Sequence, residues 1–127
     1  MEIEVALRTY LLTKVATKNV LIDEISEAVS LPAIVMSKIS DTKDHIYSGQ
    51  TKLEQPVFQF TAFDTAKLKA RAVTNEIKLA LCDYSGVLSG ITIQRISLIS
   101  EIGGVERQAD EKVYYENLEF EVSFIKG

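Results

Sequence analysis

Thr51 to Phe63 reads Thr-Lys-Leu-Glu-Gln-Pro-Val-Phe-Gln-Phe-Thr-Ala-Phe, and Asp64-Thr65 then opens an amphipathic run lasting to Tyr84-Ser85-Gly86. A hydrophobic period that changes from two to 3.6 across one short junction dictates a strand that feeds directly into a helix. Phe58, Phe60 and Ala62 fall on one strand face, and Gln59, Thr61 and Phe63 on the other. Pro56 has no amide donor, which predicts an edge or a bulge at its end of the strand. Asp64 or Thr65 is placed to cap the helix. Ala66, Ala70, Val73, Ile77 and Leu81 form its buried ridge, and Gly86 is a natural stop.

The flanking chain gives this unit something to pack on. Ile3, Leu7, Tyr10, Leu11 and Val15 recur at helical spacing, predicting an amphipathic helix over residues 2 to about 16. Ala16 to Ser30 shows no clear period and reads as irregular. Leu31-Pro32 starts an extended segment, with Ala33 to Ile39 as a strand. The polar stretch Ser40 to Lys52, with Tyr47-Ser48-Gly49-Gln50 as its turn, joins it to the next strand in a long hairpin.

Ile91, Ile93, Ile96, Leu98 and Ile99 mark a third strand, in which the slip between Ile93 and Ile96 predicts a bulge near Gln94-Arg95. In the fourth, Tyr114, Leu118, Phe120, Val122 and Phe124 share one face, and Tyr115, Asn117, Glu119, Glu121 and Ser123 the other. Glu101 to Lys112, with Gly103-Gly104, reads as a mobile charged connection. The expected fold is α+β, a single domain over 1–127 in helix-strand-strand-helix-strand-strand order. Its sheet is expected to be mainly antiparallel, with the helices packed on one face.

Composition narrows the function classes. A formal charge of −4 disfavours a nucleic-acid binder, whose affinity comes largely from Lys and Arg on phosphates. No apolar run approaches the roughly twenty residues that span a bilayer, and Met1-Glu2-Ile3-Glu4-Val5 places acids where a signal peptide carries bases. A cytoplasmic protein is expected. A single cysteine, Cys82, excludes an intramolecular disulfide framework and makes a thiolate metal cluster implausible.

Candidate chemistry is sparse. His45, the sole histidine, follows Asp44 directly, but adjacent residues point apart and no motif supplies a nucleophile. Gly86-Val87-Leu88-Ser89-Gly90 has its serine one position late for a nucleophile elbow and reads as a turn. Gly103-Gly104 lacks the lysine and the helix of a phosphate loop. Cys82, near a helix C-terminus, reads as a small, partly buried hydrophobe. No catalytic, cofactor-binding or metal-binding residue is assigned, and the chain is expected not to be an enzyme. Tyr10 and Tyr114 read as core packing, and Tyr47, on a polar hairpin, as either a contact residue or an isolated exposed one.

Several segments together resemble a known family. These are Ala6-Leu7-Arg8 with Leu11-Leu12, Leu31-Pro32-Ala33-Ile34-Val35, Gly49-Gln50-Thr51-Lys52-Leu53, Val57-Phe58-Gln59-Phe60, the helix to Leu81 with Tyr84-Ser85-Gly86, and Leu118-Glu119-Phe120-Glu121-Val122. In order and spacing, over nearly the whole chain, they are similar to the tail completion, or tail-to-head joining (tail terminator-like), proteins of long-tailed phages and prophages. The resemblance implies a structural protein without cofactor or catalysis. It would form a ring of six copies that caps the head-proximal end of the tail tube and joins the tail to the head connector.

The implied partners are further copies of the chain, the tail tube protein and a head connector or stopper protein. DNA would pass without specific binding, and no membrane is involved. The implied location is the host cytoplasm during assembly, then the tail–head interface of the virion. A ring needs two different complementary patches per subunit. The expected contact residues are Lys43, His45, Tyr47 and Gln50 on the hairpin, and Glu106, Arg107 and Asp110 on the later connection. The same element pattern also admits a small-ligand binding or regulatory α+β domain, which a concave pocket with convergent polar groups would favour.

Overall fold

A curled six-stranded sheet carries both helices, α1 (Ile3–Leu12) and α2 (Lys67–Leu81), in one shared core. The structure, a computed structural model, describes residues 3–17, 19–23, 31–43, 53–108 and 111–125. In chain order the strands are β1 (Val20–Ile22), β2 (Ala33–Lys43), β3 (Leu53–Asp64), β4 (Gly86–Leu88), β5 (Ile91–Gln108) and β6 (Glu111–Ile125). They lie side by side as β1-β2-β3-β6-β5-β4.

This corrects the expected fold. The sheet is mixed, because β1 runs parallel to β2 with Val20 opposite Ile34 and Ile22 opposite Met36. The element order is helix, three strands, helix, three strands. The segment read as irregular supplies the additional first strand, and it is held less by its three residues than by what surrounds them. The Ile34 amide donates to the Asn19 carbonyl and the Asp23 amide to that of Met36, both at 2.8 Å. Thr17 Oγ1 donates to the Pro32 carbonyl at 2.8 Å, and Arg8 Nε to that of Val20 at 2.6 Å.

The β2–β3 pairing is antiparallel, with Ala33 opposite Phe63 and Lys43 opposite Glu54. Its expected turn, Tyr47 to Gln50, lies outside the described residues. Phe58, Phe60 and Ala62 are buried with Leu118, Phe120, Val122 and Phe124 of β6, as the alternation requires. Pro56 is not at an edge, since β3 lies between β2 and β6. The irregularity that it favours falls on the neighbouring strand, where Ile39 is bulged out between Lys38 and Ser40. The predicted bulge at Gln94 is present between Ile93 and Arg95, and a second lies between Leu98 and Ser100.

Helix α2 is shorter than its periodicity suggested. Its N-cap is Ala66, without a side-chain hydrogen bond, because Asp64 Oδ1 accepts instead from the Thr65 amide at 2.6 Å. Its buried face is Ala70, Val73, Thr74, Ile77, Ala80 and Leu81. The helix ends before Gly86, and Asp83 takes the left-handed conformation (φ 58°) just after Cys82. Cys82 is exposed, contrary to its expected part-burial. Ser89 and Gly90, at φ 51° and 82°, make the tight turn that pairs β4 with β5.

The largest departure is the expected mobile connection. Glu101 to Gln108 continues β5, and β6 begins at Glu111, with pairing unbroken from Ile102–Asn117 to Gln108–Glu111. β3 ends at Asp64, opposite Tyr114, so beyond that point β5 and β6 form a two-stranded arm.

Candidate interaction surface

Of the residues expected to make contacts, Lys43 lies at one end of the sheet and Glu106 and Arg107 at the other. Lys43 closes β2 opposite Glu54, at the end where Leu53 faces Ile125 of β6. Glu106 and Arg107 lie on the arm, opposite Val113 and Lys112, beyond the other end of β3. His45, Tyr47, Gln50 and Asp110 lie outside the described residues, as do the side chains of Lys43, Glu106 and Arg107. The described members of the two sets are therefore not brought together into one site. Two separate patches on one subunit is the arrangement that a head-to-tail ring contact requires.

A cleft of about 470 Å³ opens where the first turns of α2 cross the base of the arm, between Lys67 and Arg71 on one side and Gly103, Gly104 and Tyr115 on the other. Glu116 lies at its floor, 6% exposed. It occupies the covered face of β6, where the alternation otherwise places apolar side chains. The helix compensates this buried acid. Thr74 Oγ1 lies 3.1 Å from Glu116 Oε2, and Arg71 Nε is 3.5 Å from Oε1. On the rim, Lys78 Nζ donates to Glu101 Oε1 at 2.9 Å. Each carboxylate is tied to a cation of α2, so the pair braces the helix against β5 and β6. Among the described residues, no three His, Cys, Asp or Glu side chains group as metal ligands.

The uncovered sheet face is polar. Thr61 Oγ1 donates to Asn117 Oδ1 at 2.7 Å, Gln55 Nε2 lies 3.4 Å from Ser123 Oγ, and Glu119 and Glu121 share the face by strand alternation. Phe63 and Tyr115 stand beside each other there, with ring centroids 6.4 Å apart. Tyr10 packs inside, on the ring of Tyr84 at 4.8 Å, and donates its hydroxyl to the Ala80 carbonyl.

The sheet's two outer edges differ. β1 is three residues long, and the Val20 carbonyl is occupied by Arg8. At the opposite side, β4 pairs only with Ile91 to Ile93, and the Asp83 amide takes the Ile96 carbonyl at 2.9 Å. From Ser97 to Gln108 no strand among the described residues covers β5. Ile99, Ile102 and Val105 are all more than half exposed along it. Sequence reasoning missed this edge and also Glu116. Ile102 and Val105 inside a charged stretch, and an acid at an apolar parity of β6, were the available signals.

No family model matches the chain, and comparison with curated proteins finds no match. Among solved structures, the chain is similar in fold to a chain from the virion of a native gene transfer agent particle. The TM-score is 0.65 at 13% identity, and the alignment covers 97% of both chains.

Proposed function

We propose that the chain is a structural protein of a phage-like virion, acting in tail completion and tail-to-head joining. It caps the head-proximal end of the tail tube as a ring of six and docks the head connector or stopper, without catalysis. The observation that carries this reading is the end-to-end likeness in fold to a virion chain, over 97% of both chains. Lys43 at one end of the sheet, with Glu106 and Arg107 at the other, suits the two separate patches of a head-to-tail ring. The uncovered face, with Glu119 and Glu121 among hydroxyls and amides, suits a surface that DNA slides past, since a basic lining would retain phosphates. Assembly takes place in the host cytoplasm, and the finished site is the tail–head interface.

Deleting the gene from its phage or prophage and imaging the lysate tests this. Full heads lying apart from unjoined or overlong tails are expected, and normally joined particles would sink the proposal. One observation favours a second reading: the cleft beside Arg71 has the volume of a small-ligand site. Its carboxylates are already engaged by α2, which weighs against that reading. Screening small metabolites for a rise in melting temperature, abolished by Arg71→Ala, would favour it.

A further inference from the structure

We infer that the open edge of β5 is complementary to itself, and that two copies of the chain pair there antiparallel about a two-fold axis at Ile102. An uncovered strand presents a row of main-chain donors and acceptors that another strand can satisfy. Here the row begins where Asp83 stops occupying the edge, at Ile96, and runs to the end of β5. Ile102 stands near its middle.

The side chains along the edge select the register. With Ile102 opposite its own copy on the polar face, Val105 on the other face reaches the bulged Ile99 of the second copy, so the three exposed apolar residues, at 61%, 52% and 52%, meet apolar partners at the centre and at both ends of the paired stretch. Glu101 then faces Gly103 and Ser100 faces Gly104, so no like charges stand directly opposite. Glu101 also keeps its own counterion, Lys78. Moving the register by one residue removes Ile102 from its copy and breaks the Ile99–Val105 match. The bulge between Leu98 and Ser100 and the Asp83 contact bound the paired stretch at one end.

Such pairing closes on itself. The other edge of the sheet is the short β1, with Arg8 on its Val20 carbonyl, so a third copy has no comparable strand to extend. A two-fold dimer is also not a segment of a six-fold ring. It is a state of the chain outside the ring, in which Ile102 and its neighbours are hidden until assembly. The inference does not depend on the virion reading, because it concerns the isolated chain.

Sedimentation of the purified chain across concentration should show a monomer–dimer equilibrium. Ile102→Lys places two like charges face to face and should weaken it on the order of tenfold or more, with circular dichroism unchanged because the side chain is exposed. Val87→Lys, at an exposed site away from the edge, should leave it intact. In a Cys82→Ser background, a nitroxide attached to Ile102→Cys should be broadened by its twin, and one attached to Leu79→Cys should not. A monomer at every concentration would overturn the inference and leave the edge for a strand of another protein. A dimer indifferent to Ile102→Lys, or a nitroxide at position 102 without broadening, would overturn it equally.

Discussion

Tyr115 lies across Gly104 so closely that a Cβ at position 104 would stand 2.5 Å from the phenolic oxygen and 2.6 Å from the ring carbon that bears it. The two residues face each other on β6 and β5. Gly104 is therefore a matter of space: the arm is narrow enough at its base for an aromatic ring to rest on bare backbone. Gly104→Ala should displace the ring and cost roughly 1–3 kcal/mol. In the Tyr115→Ser background the same change should cost much less, and a double-mutant cycle by urea unfolding measures the difference. Equal costs in both backgrounds would show that the ring is not the obstacle.

Thr74 Oγ1 shares its one proton between the Arg71 carbonyl, at 2.8 Å, and Glu116 Oε2, at 3.1 Å, and so joins α2 to β6. Thr74→Val keeps the shape of the side chain and removes the hydroxyl. Glu116 Oε2 would then be buried without that partner, at an expected cost of about 1–3 kcal/mol. The companion change Glu116→Leu, which removes the acid as well, should recover part of the loss. Thermal unfolding of the single and double variants tests this, and the prediction fails if Thr74→Val is neutral.

Cys82 is exposed yet a poor nucleophile on physical grounds. Desolvation raises the pKa of its thiol first, and the neighbouring Asp83 raises it further. A thiol with a raised pKa holds less thiolate near neutral pH. Alkylation by iodoacetamide should therefore be slower at pH 7 than for a small free thiol, with its pH profile displaced upward. Asp83→Asn removes the larger of the two charge effects that raise it and should speed the reaction. An unchanged or slower rate would contradict the assignment.

Phe120 and Glu119 are neighbours on β6 with opposite surroundings. Phe120 is fully buried and meets Phe60 edge to face at 5.7 Å. Glu119 is half-buried on the polar face. Phe120→Ala should cost about 3–5 kcal/mol, while Glu119→Val should stay within roughly 0.5 kcal/mol. Denaturant midpoints at equal slope decide the comparison.

The parts of this fold legible in the sequence are those in which one face is covered along the whole element. Leu118 to Phe124 alternate cleanly because every second residue meets the core, and Ile93 and Ile96 fall out of phase because a residue is bulged between them. β1 escaped because three residues cannot show a period, and its place is set by distant groups such as Arg8 and Thr17. The arm escaped for a different reason. Glu101 to Val105 lies level with the last residues of β3 and only Glu106 to Gln108 projects past it, but with its outer edge uncovered the segment is marked as strand by pairing alone, and its composition resembles a loop. At the cleft, Glu116 gave the one available signal, an acid in an apolar slot, but its partners Arg71 and Thr74 are brought to it by tertiary packing.

Arg8 and Val20 carry the last prediction, because a single contact there both holds β1 and blocks its outer edge. The guanidinium is the donor, and hydrogen bonds from charged groups are worth about 1.5–3 kcal/mol. Arg8→Met keeps much of the aliphatic stem and loses the donor, so it should destabilise the chain by about that amount. The loss should be concentrated at β1, seen as faster amide exchange at Ile34 and Asp23, whose amides donate to Asn19 and Met36. With the carbonyl freed, the variant should also associate beyond a dimer at high concentration, since both edges of the sheet would then accept a strand. Unchanged exchange at Ile34 would show that β1 is held without Arg8, and unchanged association would show that its length alone protects the edge.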